Sequence, residues 1–220
     1  MLEVPGVMVV GSQVPNLLQA SVAATLVVSQ DLDVGVPVER HTELKSRLGD
    51  VGEFESSTEE PSVWVGRTAG LLELNFVGID RTLTPTEAYL LEDDRLPMLV
   101  FGGLSLLSSG AKIEVEGTVV SLPRPAGLLL EKLVTDRTGE KGERDLLVAL
   151  GVLAISSAAD FDEFVNLYRR LAADRRWAVR SNLTVLSLLS PHPGLPDPRS
   201  RRAEVAALLR RLEEGESEVT

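Results

Sequence analysis

Asp31-Leu32-Asp33-Val34-Gly35-Val36 is a short extended stretch with two carboxylates at its head. Its valines favour a strand. On a strand, residues two apart share a face, so Asp31 and Asp33 project together while Leu32 points into the core. Two like charges side by side disfavour that arrangement. A hard divalent cation, which takes oxygen ligands, removes the penalty. The other reading of the same residues is a solvated strand start with Asp31 as a turn residue.

Upstream, Val7–Val10 is an apolar strand that runs into Gly11-Ser12, ahead of a helix from Val14 to about Ala23 with Pro15 in its first turn. Glycine lets a backbone approach a ligand closely. A serine hydroxyl and free amides at a helix start suit a phosphate. Downstream, Leu71-Leu72-Glu73-Leu74-Asn75-Phe76 alternates, with Leu72, Leu74 and Phe76 on one face and Leu71, Glu73 and Asn75 on the other. A carboxylate in such a strand is costly unless exposed, paired or bound to a metal. An open-face glutamate on a half-wet sheet meets the first condition.

The rest of the first half reads as strands with few helices. Leu26–Ser29 and Leu32–Val38 form one strand or a close pair, and Val63–Val65 pairs antiparallel with Leu71–Val77. Thr42–Leu48 is a short helix with Thr42 as its N-cap. Leu83–Leu91 has helical spacing interrupted by Pro85, and Leu99–Leu107, Lys112–Val115 and Val119–Leu122 make a meander.

After Pro123 the apolar period changes from two to about 3.6. Pro125 opens a helix carrying Leu129, Leu130 and Leu133, and Leu146, Leu147, Leu150 and Leu153 mark a second. Asp160 and Glu163 make a capping box for a third helix, striped by Phe161, Phe164, Val165, Tyr168 and Leu171. Trp177–Leu189 is a fourth, and Ser200 caps a last one beyond the proline-rich stretch Pro191–Pro198. The fold class expected is α+β, with a mixed-sheet domain over residues 1–122 and a helical bundle over residues 123–220.

Taken together, strand–Gly-Ser–helix, then Asp-x-Asp, then a third carboxylate from a later strand resemble the DNA polymerase β-like nucleotidyltransferase superfamily. The second half continues the likeness. Leu122-Pro123-Arg124-Pro125 leads to Lys132-Leu133, Arg137 and Gly142-Glu143-Arg144-Asp145-Leu146. This is similar to the helical part of AbiEii-type and related stand-alone bacterial nucleotidyltransferases. The resemblance implies a nucleotidyltransferase-like mixed β-sheet domain with a C-terminal helical bundle. It also implies Mg²⁺-dependent transfer of a nucleotidyl group from an NTP to an acceptor hydroxyl on a tRNA end, a protein or a small molecule, in a toxin-type enzyme. By the same match, Gly11 and Ser12 cradle the triphosphate, and Asp31 and Asp33 hold Mg²⁺. Glu73 is then the third ligand or the base, Lys132 contacts phosphate oxygens, and Asp145 orients that lysine or the base. Val27-Val28-Ser29-Gln30 precedes Asp31 without an arginine. That leaves a second reading, in which the same fold binds a nucleotide or a partner protein without turnover.

The chain has no cysteine, which excludes a disulfide scaffold, a thiolate metal site and a cysteine nucleophile. Its 220 residues, 44% apolar and 25% charged, are ordinary for a globular protein. No apolar run is long enough for a membrane helix and no basic leader precedes one, so a cytoplasmic protein is expected. His41 and His192 have no metal-ligand partner at useful spacing, and Trp64 and Trp177 read as core or core-edge residues. With 4% aromatic residues there is no stacking platform for single-stranded nucleic acid. Charge is uneven: residues 1–168 sum to −14, residues 169–211 to +7 with ten arginines, and the tail to −4. These arginines are either solvated or paired with the acidic body, or they meet tRNA or an acidic antitoxin-like protein.

Overall fold

Apolar and β-branched runs in the first half become strands, and leucine-rich runs in the second half become helices. The computed structural model describes residues 3–18, 31–48, 54–60, 62–68, 70–71, 73–135, 140–191 and 197–217. The strands are β1 (Met8–Val10), β2 (Asp31–Pro37), β3 (Phe54–Ser56), β4 (Val63–Gly66), β5 (Glu73–Ile79), β6 (Ala88–Leu91), β7 (Met98–Phe101), β8 (Ser109–Val115) and β9 (Thr118–Pro123). The helices are α1 (Val14–Leu18), α2 (His41–Arg47), α3 (Pro125–Val134), α4 (Glu140–Ile155), α5 (Ala158–Arg169), α6 (Ala173–Leu188) and α7 (Arg202–Ser217). The fold class is α+β. Two compact units result, one from Met1–Val14 with Val28–Pro123 and one from Pro15–Val27 with Arg124–Thr220. The strand expected over Leu26–Ser29, the far part of the first helix, and His192 lie outside the described residues.

In the sheet unit, seven of the described strands share one mixed sheet, ordered β1-β2-β5-β4-β3, with β7 also on β5 and β6 beyond it. β1 runs antiparallel to β2, and β2 runs parallel to β5 in register from Asp31↔Glu73 to Pro37↔Ile79. The other side of β5 pairs first with β4, antiparallel at Val63↔Asn75, and then with β7, parallel at Val77↔Leu99. One sheet face buries Val34, Val36, Leu74 and Phe76 against Leu44, Leu48, Leu96 and Met98. Trp64 meets Phe76 edge to face, with ring centroids 6.2 Å apart. Each fully buried side chain of this size contributes about 1.5–3 kcal/mol relative to exposure, so this face anchors the strands that carry the aspartates.

Several local expectations are corrected. The meander breaks after its first strand: β7 stops at Phe101, and Gly102–Leu106 turns into a 3₁₀ segment. The Gly102 amide donates to Glu87 O at 2.7 Å, and a Cβ there would collide with Thr84 O, so only glycine permits the approach. The remaining two segments form a separate hairpin, β8–β9. Leu83–Leu91 resolves into turns followed by the strand β6. Thr42 is not a cap: α2 starts one residue earlier, after Arg40, which makes no side-chain cap bond.

In the helical unit, α3 packs against α4, α5 and α6, and α7 packs against α5 and α6. Most of each spacing-predicted stripe is buried, including Leu129, Leu130 and Leu133 on α3, Leu150 and Leu153 on α4, and Phe164, Val165 and Tyr168 on α5, while Leu147, Phe161 and Leu171 are half-buried. Helix ends differ from expectation. The capping box of α5 is Ser157 with Asp160, the Ser157 amide donating to Asp160 Oδ2 at 2.8 Å, while Glu163 instead pairs with Arg124 at 3.0 Å. Asp197 rather than Ser200 caps the entry to the last helix, accepting from the Arg199 amide at 2.9 Å. Trp177 is not a core residue; it is 66% exposed on α6. Among the described residues no helix is long and apolar enough to cross a membrane.

Candidate active site

Val10 lies opposite Asp33 in the β1–β2 ladder, so the chain leaves β1 at Gly11 directly beside the Asp33 carboxylate. Gly11 has φ +79°, and a Cβ built on it would collide with Asp33 Oδ2. Both facts demand glycine, which alone adopts that conformation freely and presents no side chain to the acid. Ser12 follows, half-buried in a 3₁₀ turn over Gly11–Gln13.

Paired residues on adjacent strands point to the same side of a sheet. The β2–β5 register therefore puts Asp31, Glu73, Asp33 and Asn75 on one face. Asn75 Nδ2 donates to Asp33 Oδ1 at 2.9 Å, which fixes that carboxylate between the amide side chain and Gly11. Asp31, Asp33 and Asn75 are half-buried and Glu73 is exposed. Among the described residues no three acidic or histidine side chains converge closely enough to form a metal cluster. The donor chemistry of the aspartate pair nonetheless fits Mg²⁺, which usually takes one or two protein carboxylates and completes its shell with waters and substrate phosphates. Asn75 is the member of this group that sequence reading passed over. The alternation that sets it on Glu73's face was the available signal.

Lys132 and Asp145 meet within the helical unit. Lys132 Nζ lies 3.2 Å from Asp145 Oδ1 and 3.0 Å from Glu131 Oε2, a partner not anticipated from sequence. All three residues are buried. A cleft of about 210 Å³ opens beside them, bordered by Thr135, Glu143 and Asn182, whose Nδ2 donates to Leu133 O at 2.8 Å. A cation set between two buried carboxylates is held in place by them. His41 has a structural place, buried with Nε2 2.8 Å from Leu96 O.

No protein-family model matches the chain, and no curated protein sequence matches it. Among solved structures it is similar to an antigenic nucleotidyltransferase-like protein from Paracoccidioides brasiliensis, at 14% identity and a TM-score of 0.45, covering 93% of this chain and 84% of that one. It is also similar to the solution structure of the antibiotic-resistance factor ANT(2'')-Ia, at 11% identity and a TM-score of 0.30, covering 96% and 88% of the two chains.

Proposed function

We propose that this protein is a Mg²⁺-dependent nucleotidyltransferase that moves a nucleotidyl group from an NTP to an acceptor hydroxyl. The supporting observation is the register that sets Asp31 beside Glu73 and Asp33 beside Asn75 on one sheet face, against the Gly11 turn. Asp31 and Asp33 are the Mg²⁺ ligands in this reading, and Asn75 holds Asp33 in place. Bound Mg²⁺ supplies neutralisation of the phosphate charge that builds up during displacement. The Gly11-Ser12 corner binds phosphate oxygens, and Lys132, held by Asp145, keeps the phosphate role that the sequence resemblance gives it. The exposed Glu73 takes the proton from the acceptor hydroxyl. The new bond joins acceptor oxygen to the α-phosphorus, the bond from that phosphorus to the bridging oxygen breaks, and pyrophosphate leaves. The acceptor is a tRNA end, a protein or a small molecule, in an enzyme of toxin type with an antitoxin-like protein as its acidic partner.

Incorporation of labelled NTP into tRNA and cell-extract acceptors, with and without Mg²⁺, tests the reading. Asp31→Asn combined with Asp33→Asn is expected to lower the rate on the order of 10³-fold, because several kcal/mol of charge stabilisation is removed. Equal rates in both proteins would reject it. A second reading is a binding module of the same fold without turnover, favoured by the arginine-free Val27-Val28-Ser29-Gln30. Calorimetric NTP binding with no pyrophosphate release distinguishes it.

A further inference from the structure

On one side the sheet ends at β6, which among the described strands pairs with β7 alone. The Gly102 amide donates to Glu87 O at 2.7 Å, one step beyond that ladder. Antiparallel bonding alternates from there, so Tyr89 and Leu91 bond β7 while the N–H and C=O groups of Ala88 and Leu90 point outward. Such an edge is usually blunted by a lysine, a proline or a bulge. The four residues of β6 are uncharged and its register with β7 is unbroken. Leu90 lies opposite Leu99 and Ala88 opposite Phe101, so these side chains share a face. Leu90 is 55% exposed, Leu99 41% and Phe101 37%, where the open face of an antiparallel sheet is normally polar.

The charge lies at the two ends of β6, and it is negative. Glu87 precedes the strand, and its carboxylate accepts from the Thr84 amide at 2.7 Å and hydroxyl at 2.9 Å. Asp80 accepts from the amide and hydroxyl of Thr82 and from the Tyr89 hydroxyl. These donors are neutral, so both carboxylates keep their charge. Glu92 and Asp94 follow the strand, exposed and without an ion pair among the described residues. Of the nearby cations, Lys45 is taken by Asp93 and Arg81 donates to Leu107 O at 3.1 Å. From Asp80 to Arg95 there are five acids against two arginines, which leaves the edge acidic.

We propose that β6 is a docking edge for an extended segment of a partner protein, apolar at its centre and carrying lysine or arginine at both ends. The segment adds a strand to the sheet: its main chain bonds the outward groups of Ala88 and Leu90, and its apolar side chains cover Leu90 and Leu99. The acidic ends of β6 select it by charge complementarity. A second copy of this edge is disfavoured, because both ends are acidic and either strand direction sets acid against acid. Nucleic acid is repelled by the same charges. The proposal does not depend on nucleotide chemistry elsewhere in the chain.

The full-length protein is titrated with a short synthetic peptide of alternating valine and threonine with lysine at both ends, followed by the backbone amide resonances of Ala88 and Leu90. Both are expected to shift and to exchange more slowly with solvent, with half-saturation below about 200 µM. N-methyl groups on the valine amides, which face β6 in this pairing, are expected to abolish binding, and on the threonine amides to leave it. Affinity is expected to fall at least about 10-fold in Leu90→Asp, an exposed position that leaves the far-ultraviolet circular dichroism unchanged. The peptide with glutamate ends is expected not to bind. The proposal is overturned by any of four results: no shift at about 200 µM peptide, equal binding of lysine-ended and glutamate-ended peptides, indifference to which amides are methylated, or indifference to Leu90→Asp. Sedimentation showing a dimer that Leu90→Asp dissolves would overturn it too, in favour of a second copy.

Discussion

Gly11 and Lys132 are each fixed by the groups set against them. At Gly11 the constraint is steric: φ is +79° and the Asp33 carboxylate occupies the space a methyl group would need. Gly11→Ala is expected to destabilise the fold by about 1–3 kcal/mol and to push Asp33 off Asn75, read by urea unfolding and by the shift of the Asn75 side-chain amide resonance. At Lys132 the constraint is electrostatic. Lys132→Met leaves Glu131 and Asp145 buried without their shared cation, a loss of about 3–5 kcal/mol. Adding Glu131→Gln and Asp145→Asn to Lys132→Met is expected to recover much of it; no recovery would mean that the lysine stem, not its charge, matters. The shared face of Asp31 and Asp33 was legible because strand alternation is a local rule. The bond from Asn75 to Asp33 was not, because it depends on the register between strands 42 residues apart in the chain.

Elements meet through specific polar pairs as well as apolar faces. Lys45 on α2 reaches Asp93, in the loop before β7, with Nζ 2.6 Å from Oδ2. The Arg95 and Leu96 amides donate to Asp93 Oδ1 at 2.9 and 3.0 Å. The Lys45 hydrogen bond foremost, and then these amides, hold the Asp93 carboxyl far below its ordinary value. A depressed folded value means that the stabilisation is fully present above the unfolded value near 3.8 and is lost as pH falls below it. The stability difference between wild type and Asp93→Asn is therefore expected to be constant from neutral pH down to about 5 and to shrink steadily below about 4, measured by urea midpoints across pH. A difference independent of pH would remove the ion pair from the account. At this scale helix interiors were legible and helix ends were not. Ser157-Ala158-Ala159-Asp160 and Asp160-Phe161-Asp162-Glu163 offer similar capping patterns, and only the geometry selects the first. Trp177 was misplaced for a related reason: apolar character alone does not say which face of a helix a residue lies on, and the buried face of α6 is that of Val179, Leu183 and Leu186.

The change of period at Pro123 is written in local chemistry, so the split into strands and helices is readable along the chain. The order β1-β2-β5-β4-β3 is not, since it pairs segments that no local signal links. The two units hold separate sets of buried side chains: Val34, Val36, Leu74 and Phe76 in the sheet unit, and Leu129, Leu133, Phe164 and Tyr168 in the helical unit. A unit with its own core has the means to unfold by itself, and a single two-state transition is then not expected. Phe76 and Phe164 are both fully buried, so either Phe→Ala change removes about 3–5 kcal/mol from the core that contains it. Scanning calorimetry of the full chain is expected to resolve two overlapping transitions. Phe76→Ala should lower the one that carries the strand signal and leave the other in place, and Phe164→Ala should do the reverse. If each substitution lowers one common transition by the same amount, the cores melt as a single body, and the two units are parts of one cooperative fold.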